Sequence, residues 1–270
     1  MMKTITISIL ACLLFSFAYA QAPYKVITVN GDIVAKNAGV KLKNGIEVKS
    51  DDNFDFLAPG SRAALINPDF GRVLLTESNS GNAFSKAAFA PAMSSVKTRG
   101  FVSDIIFTQS QLSEFFSDNL LVIDRLEIRI DEELFPQNDK GYFFLRYMYN
   151  GEEINKRLSF KSDTLIIDKS ELYTIDGVPI PNPQVDQMKL YYYELLGDNS
   201  KAIFISTFAL VFISNEQLKE EAGVIISAME GQPYDQIFSE VYDFITSYYG
   251  DINNSYVESW LEKEFNLKKK

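Results

Sequence analysis

The chain has 270 residues, 46% hydrophobic and 23% charged, with a net charge of -10. These proportions suit a globular protein with a sizeable core, and the length suits one or two domains of ~100–200 residues. There is no histidine and only one cysteine, which excludes Ser-His-Asp and Cys-His catalysis, His-based zinc sites and a histidine pH switch. The acidic balance opposes the phosphate backbone, so no nucleic acid is expected as a partner. Carboxylate sites for calcium or magnesium and carboxylate acid/base chemistry stay open.

Residues 1–20, MMKTITISILACLLFSFAYA, have the form of an export signal. Lys3 is the charged start, Ile5 to Phe17 is mostly apolar, and Ala18-Tyr19-Ala20 is an A-x-A cleavage signal before Gln21. Cys12 follows Ile9-Leu10-Ala11 as in a lipoprotein box, but it comes early and the apolar run continues past it, so lipidation is not expected. Removing Lys3 takes the net charge from -10 to -11 and leaves no cysteine. No later apolar run reaches the ~20 residues of a membrane helix. The expected product is periplasmic or secreted, with no transmembrane segment once the signal is removed.

From Val26 to Leu75, short β-type runs alternate with Gly, Asn, Asp and Pro turns. Val26 to Val29 predicts a strand that ends at the tight-turn pair Asn30-Gly31, with Ile33 to Ala35 continuing the pairing. Asn44-Gly45 is a second hairpin signal. Phe54 and Phe56 share one face, and Ala63 to Ile66 and Arg72 to Leu75 close a small antiparallel β domain of meander-like order over residues 21–77. Asp51, Asp52 and Asp55 place oxygens at a calcium-loop spacing but lack the Gly and the distal Glu of an EF-hand. They are weak metal candidates, and no cofactor is implied.

The order Val-x-Gly-Asp-Ile, Leu-Lys-x-Gly-x-x-Val, Phe-x-x-Pro-Gly-Ser-x-Ala-x-Leu, Gly-Arg-Val-Leu-Leu resembles the FecR-like β repeat of envelope proteins over residues 26–75. The resemblance implies an extracytoplasmic β module in which hairpin strands stack. FecR-type regulators carry a cytoplasmic segment and a membrane helix before the module. A signal peptide stands there in this chain, so their signalling role is not implied. The whole chain is similar to secreted proteins of Bacteroidota, which implies a compartment and no activity.

Residues 78–95, rich in Ser, Ala, Asn and Gly, are the expected linker, with Phe84 and Phe89 as packing points. Residues 96–270 form the larger expected domain. Ser110 to Phe116 predicts a short helix capped by Ser110. Leu121 to Ile130 predicts a strand with Leu126, Ile128 and Ile130 inward and Glu127 and Arg129 outward. Gly141 to Tyr149 and Glu152 to Phe160 predict a hairpin around Asn150-Gly151. Thr164 to Ile167 predicts a buried strand, and Pro179, Pro181 and Pro183 an extended loop. Lys189 to Leu196 and Ala202 to Ile213 predict two strands around Gly197-Asp198-Asn199. The period then becomes helical: Gln217 to Met229 capped by Asn215, Tyr234 to Tyr249 stopped by Gly250, and a last helix capped by Ser255. Strands first and helices last give an α+β class, with an antiparallel sheet covered by C-terminal helices.

No phosphate loop or nucleophile elbow is present. Asp124, Glu127, Asp131, Glu132 and Glu133 form an acidic concentration, which as a carboxylate pair would serve a glycan hydrolase. In Tyr191-Tyr192-Tyr193, a strand sends alternate rings to opposite faces. Tyr191, Tyr193, Trp260 and Phe265 are the candidate partner-binding residues. The expectation is an exported, non-catalytic binding or assembly protein with a protein or envelope-polymer partner. The alternative is a carboxylate-dependent glycan hydrolase.

Overall fold

A computed structural model describes residues 23–81, 83–84, 105–180, 185 and 187–269. The signal segment 1–20, Cys12, Gln21, Phe89 with most of the 78–95 stretch, and Pro181 and Pro183 lie outside them. The chain divides into two compact units, Met1–Phe89 and Ala90–Lys270.

The described residues of the first unit form seven strands: β1 (Tyr24–Asn30), β2 (Ile33–Ala35), β3 (Val40–Lys41), β4 (Glu47–Val48), β5 (Phe54–Phe56), β6 (Arg62–Asn67) and β7 (Gly71–Thr76). They form a four-stranded sheet, β4-β1-β6-β7, and a three-stranded sheet, β3-β2-β5. Every pairing is antiparallel. The order differs from the expected meander, because β1 pairs with β4 and β6 and not with β2. Asn30-Gly31 is therefore a corner between sheets. A Cβ on Gly31, at φ +88°, would stand 2.9 Å from Ser61 Cβ, so no other residue fits there without displacing Ser61. Ser61 Oγ holds the corner, accepting from the Asp32 N–H (3.0 Å) and donating to the Ala58 carbonyl (2.7 Å). Val26, Ile33, Leu65, Val73 and Leu75 share one core with Phe54 and Phe56 packed against it. Phe84 packs there too, its ring 4.7 Å from that of Tyr24.

The second unit opens with β8 (Ile105–Ile106), α1 (Gln109–Phe115), β9 (Asn119–Ile123) and β10 (Arg125–Ile130). The single strand expected over 121–130 is split at Asp124, whose φ of +56° turns the chain between two sheets. Thr108 caps α1, its hydroxyl accepting from the Gln111 N–H, in place of the expected Ser110. The hairpin β11 (Gly141–Tyr149) and β12 (Glu152–Arg157) turns at Asn150-Gly151, both at positive φ, as the pair requires. The chain then leaves that sheet at Leu158 to form β13 (Ser159–Lys161) and β14 (Thr164–Asp168). A four-residue helix α2 (Lys169–Leu172), a small hairpin β15 (Thr174–Ile175) and β16 (Val178–Pro179), and the long pair β17 (Met188–Leu196) and β18 (Asn199–Ile213) follow.

Besides the β15-β16 pair, the described residues form two larger sheets, ordered β13-β14-β10-β8 and β12-β11-β17-β18-β9. They are antiparallel except at β8 and β9, which join β10 and β18 in parallel. Their inward side chains form one core, with Ile128, Ile130, Leu165 and Ile167 from one sheet and Phe143, Leu145, Tyr147, Leu190 and Tyr192 from the other.

The helices α3 (Asn215–Ala228), α4 (Tyr234–Tyr248) and α5 (Asn254–Phe265) bury Leu218, Ile225, Val241, Phe244 and Leu261. The α+β class stands. The true caps are Ser214 and Asn253, one and two residues before the expected Asn215 and Ser255. The helical segment joins the sheet along β9, where the Leu121 N–H donates to the Asp251 carbonyl (3.0 Å) and the Asp251 N–H to the Asn119 carbonyl (2.8 Å). A Cβ on Gly250, at φ +130°, would lie 2.8 Å from Asn119 Cβ, so this approach needs glycine. No helix among the described residues is long and apolar enough to cross a membrane.

Candidate interaction face

The alternation of a strand assigns two jobs to the run Gly141–Tyr149. Phe143, Leu145 and Tyr147 point into the core, so Tyr142, Phe144, Arg146 and Met148 point out. In β17, Tyr192 is inward and buried, and its phenol is pushed up to about 12 by that burial and secondarily by Glu194. Its hydroxyl donates to the Pro136 carbonyl at 2.7 Å. Tyr191 and Tyr193 therefore lie on the outer face.

Register then builds a layered surface. Tyr142 stands opposite Tyr193, Phe144 opposite Tyr191, and Arg146 opposite Lys189. On the other side of β17, Tyr191 stands opposite Phe204, because a bulge between Leu190 and Tyr191 brings Phe204 to that face. The rings of each cross-strand pair are stacked: Tyr142 on Tyr193 at 4.7 Å and 25°, Phe144 on Tyr191 at 5.2 Å and 10°. Phe204 meets Tyr191 edge-on at 5.6 Å. The guanidinium of Arg157 lies 4.4 Å over Tyr142, and that of Arg146 lies 4.9 Å over Tyr191. Tyr191 and Tyr193 are half-buried, while Phe204 is 49% and Met148 56% exposed.

The other candidates fall elsewhere. Trp260 is only 5% exposed and its indole N–H donates to Asn215 Oδ1 at 2.7 Å, so it ties α5 to the start of α3 and is withdrawn from any docking surface. Phe265 is half-buried and meets Trp260 edge-on at 5.6 Å. Neither joins the sheet-face group. Asp51, Asp52 and Asp55 do not converge: Asp55 pairs with Lys36 at 2.6 Å, and Asp52 accepts from the Lys49 N–H. No group of three or more acidic, Cys or His side chains that could hold a metal exists among the described residues.

The acidic concentration is likewise dispersed. Glu127 pairs with Arg125, Arg129 with Asp163, and Asp124 accepts from the Asn215 N–H at 3.0 Å. An open depression of about 330 Å³, lined by Arg125, Glu127, Lys161, Ser162, Thr164 and Ile166, lies over β10, β13 and β14. Its one carboxylate, Glu127, is the Arg125 partner.

The sequence reading missed Arg146, Arg157, Lys189, Phe144 and Phe204. The period-2 pattern of GYFFLRYMY carried the signal for two of them, since it puts Tyr142, Phe144, Arg146 and Met148 on one side. No family model matches this chain, and no curated protein matches it.

Proposed function

We propose that this protein is an exported, non-catalytic binding or assembly protein whose contact surface is the outer face of β11, β17 and β18. The observation that carries this reading is a contiguous set of aromatic side chains interleaved with arginine, Tyr142, Tyr191 and Tyr193 half-buried and Phe204 exposed around a buried Phe144, on a sheet whose other face is the core. Tyr and Arg are enriched at interface hot spots, and Met is enriched in interfaces generally. The sheet presents the stacked rings at a reduced ordering cost, because ring stacking already restricts their rotamers. The N-terminal unit is proposed as a FecR-like extracytoplasmic contact module, in keeping with its paired antiparallel sheets and its sequence resemblance.

The test is cross-linking in the native cell, capture of the mature protein and mass spectrometry, run in parallel on wild type and on a Tyr191→Ala/Phe204→Ala variant. A stoichiometric envelope component captured by wild type and lost by the variant supports the reading. A component retained by the variant overturns this choice of face. N-terminal sequencing of the exported protein should start at Gln21, and an intact Met1 would overturn the export reading. A hydrolase would instead lose glycan turnover when one carboxylate, such as Glu127, is neutralised.

A further inference from the structure

Arg146 and Lys189 stand directly opposite one another on β11 and β17. Like charges in that relation repel and destabilise a sheet. Arg146 is nonetheless held in place: its Nε donates to Asn155 Oδ1 at 2.8 Å, and its guanidinium lies over the Tyr191 and Phe144 rings at 4.9 and 5.9 Å. Its one carboxylate contact, Glu153, also reaches Nε, at a long 3.3 Å. Both terminal nitrogens of Arg146 are without a hydrogen-bond partner among the described residues. Lys189 is exposed and has no ion-pair partner among them. Arg157, next along the face, touches the almost fully exposed Asp139 at 3.4 Å. Charge-assisted pairs close to about 2.7–2.9 Å when well made, so both intramolecular pairs are loose.

We propose, building on the reading of this face as a contact surface, that the Arg146–Lys189 pair receives carboxylates from an acidic segment of a protein partner. A guanidinium fork fixed by packing, with its outer N–H groups free, is pre-organised for a carboxylate. An incoming carboxylate also relieves the cross-strand repulsion. The rings favour polypeptide over acidic sugar. Sugars stack on ring faces, and here the ring faces of Tyr142 and Tyr191 are occupied by partner rings and guanidinium groups. With those faces covered, the ring edges, the positive part of the ring quadrupole, are left to meet a carboxylate or a side chain. The chain as a whole carries -10, so a non-specific attraction to polyanions is opposed.

The experiment titrates the mature full-length protein with poly-L-glutamate by calorimetry, with poly-L-glutamine and polygalacturonate as comparisons. Wild type should bind poly-L-glutamate, and an Arg146→Gln/Lys189→Gln variant with an unchanged circular-dichroism spectrum should bind it about tenfold or more weakly. Binding should weaken with salt. No binding of poly-L-glutamate, equal binding by the variant, or tighter binding of polygalacturonate would each overturn the proposal. The in-cell capture separates the two readings. A partner lost on Tyr191→Ala/Phe204→Ala but kept on Arg146→Gln/Lys189→Gln leaves the contact face standing and removes its acidic-partner chemistry.

Discussion

The two faces of the five-stranded sheet are built from the same strands and carry similar residue types, yet they do different work. Inward, Phe143, Leu145, Tyr147, Leu190 and Tyr192 are buried together. Outward, Tyr142, Tyr191 and Tyr193 stay half-buried while Phe144 is covered by its stacked partner Tyr191, with arginine over the rings. The inner tyrosines hide their hydroxyls in backbone bonds, Tyr147 to the Leu172 carbonyl at 2.8 Å and Tyr192 to that of Pro136 at 2.7 Å. Aromatic content alone is therefore neither core nor surface. In these strands the two fully buried tyrosines, Tyr147 and Tyr192, are the ones whose hydroxyls reach a backbone carbonyl.

The largest expected effect is on the inner face. Phe143→Ala should destabilise the second unit by about 3–5 kcal/mol in a denaturant titration, through lost transfer energy and a cavity. A cost near that of an exposed substitution would break the comparison.

Alkaline unfolding comes next. Burial pushes Tyr192 and Tyr173 from 10.0 up to about 12. Below pH ~10 these phenols are neutral in both states, so their burial costs nothing extra. Above it the unfolded chain releases protons that the folded chain retains, and stability falls as pH rises towards 12. Thermal melts between pH 9 and 12 should show the loss, and Tyr192→Phe should reduce it.

Tyr147→Phe tests a single inner hydroxyl. It leaves the Leu172 carbonyl without its donor and should cost about 1–2 kcal/mol, read as a lower denaturant midpoint at unchanged slope.

The smallest stability effect belongs to the outer face. Tyr193→Ala removes one half-exposed stacked pair and should cost about 1 kcal/mol or less, while partner capture falls. A cost as large as that of Phe143→Ala would mean that this face is a second core.

Much of the local structure was legible in the chain. Asn150-Gly151 predicts its hairpin because Asn-Gly is one of the few pairs that accept two positive φ values cheaply, and both residues adopt them. The tyrosine triplet splits between faces because a strand alternates. The helices were legible from their period, but each expected cap missed by one or two residues. Propensity marks a cap region, and the cap itself is whichever residue leaves helical geometry with an oxygen over the first N–H groups. Asn215 shows the difference: its side chain accepts from Trp260, while Ser214 caps the helix.

By itself, the sequence determined what is local: strands, turns, helical stretches, the face of each side chain within its strand, and the absence of histidine chemistry. These depend on neighbours a few residues apart, whose geometry is set by φ, ψ and a period of two or 3.6. Only the tertiary structure decided that β1 passes over β2 to join β6, that β9 lies parallel to β18, and that Arg146 faces Lys189. It also decided that Trp260 is withdrawn into the helices. Such pairings join residues far apart in the chain, and many registers satisfy the same local pattern. The choice among them is made by burying the two sheets' inner faces against each other, a property of the whole unit that no single window of sequence contains.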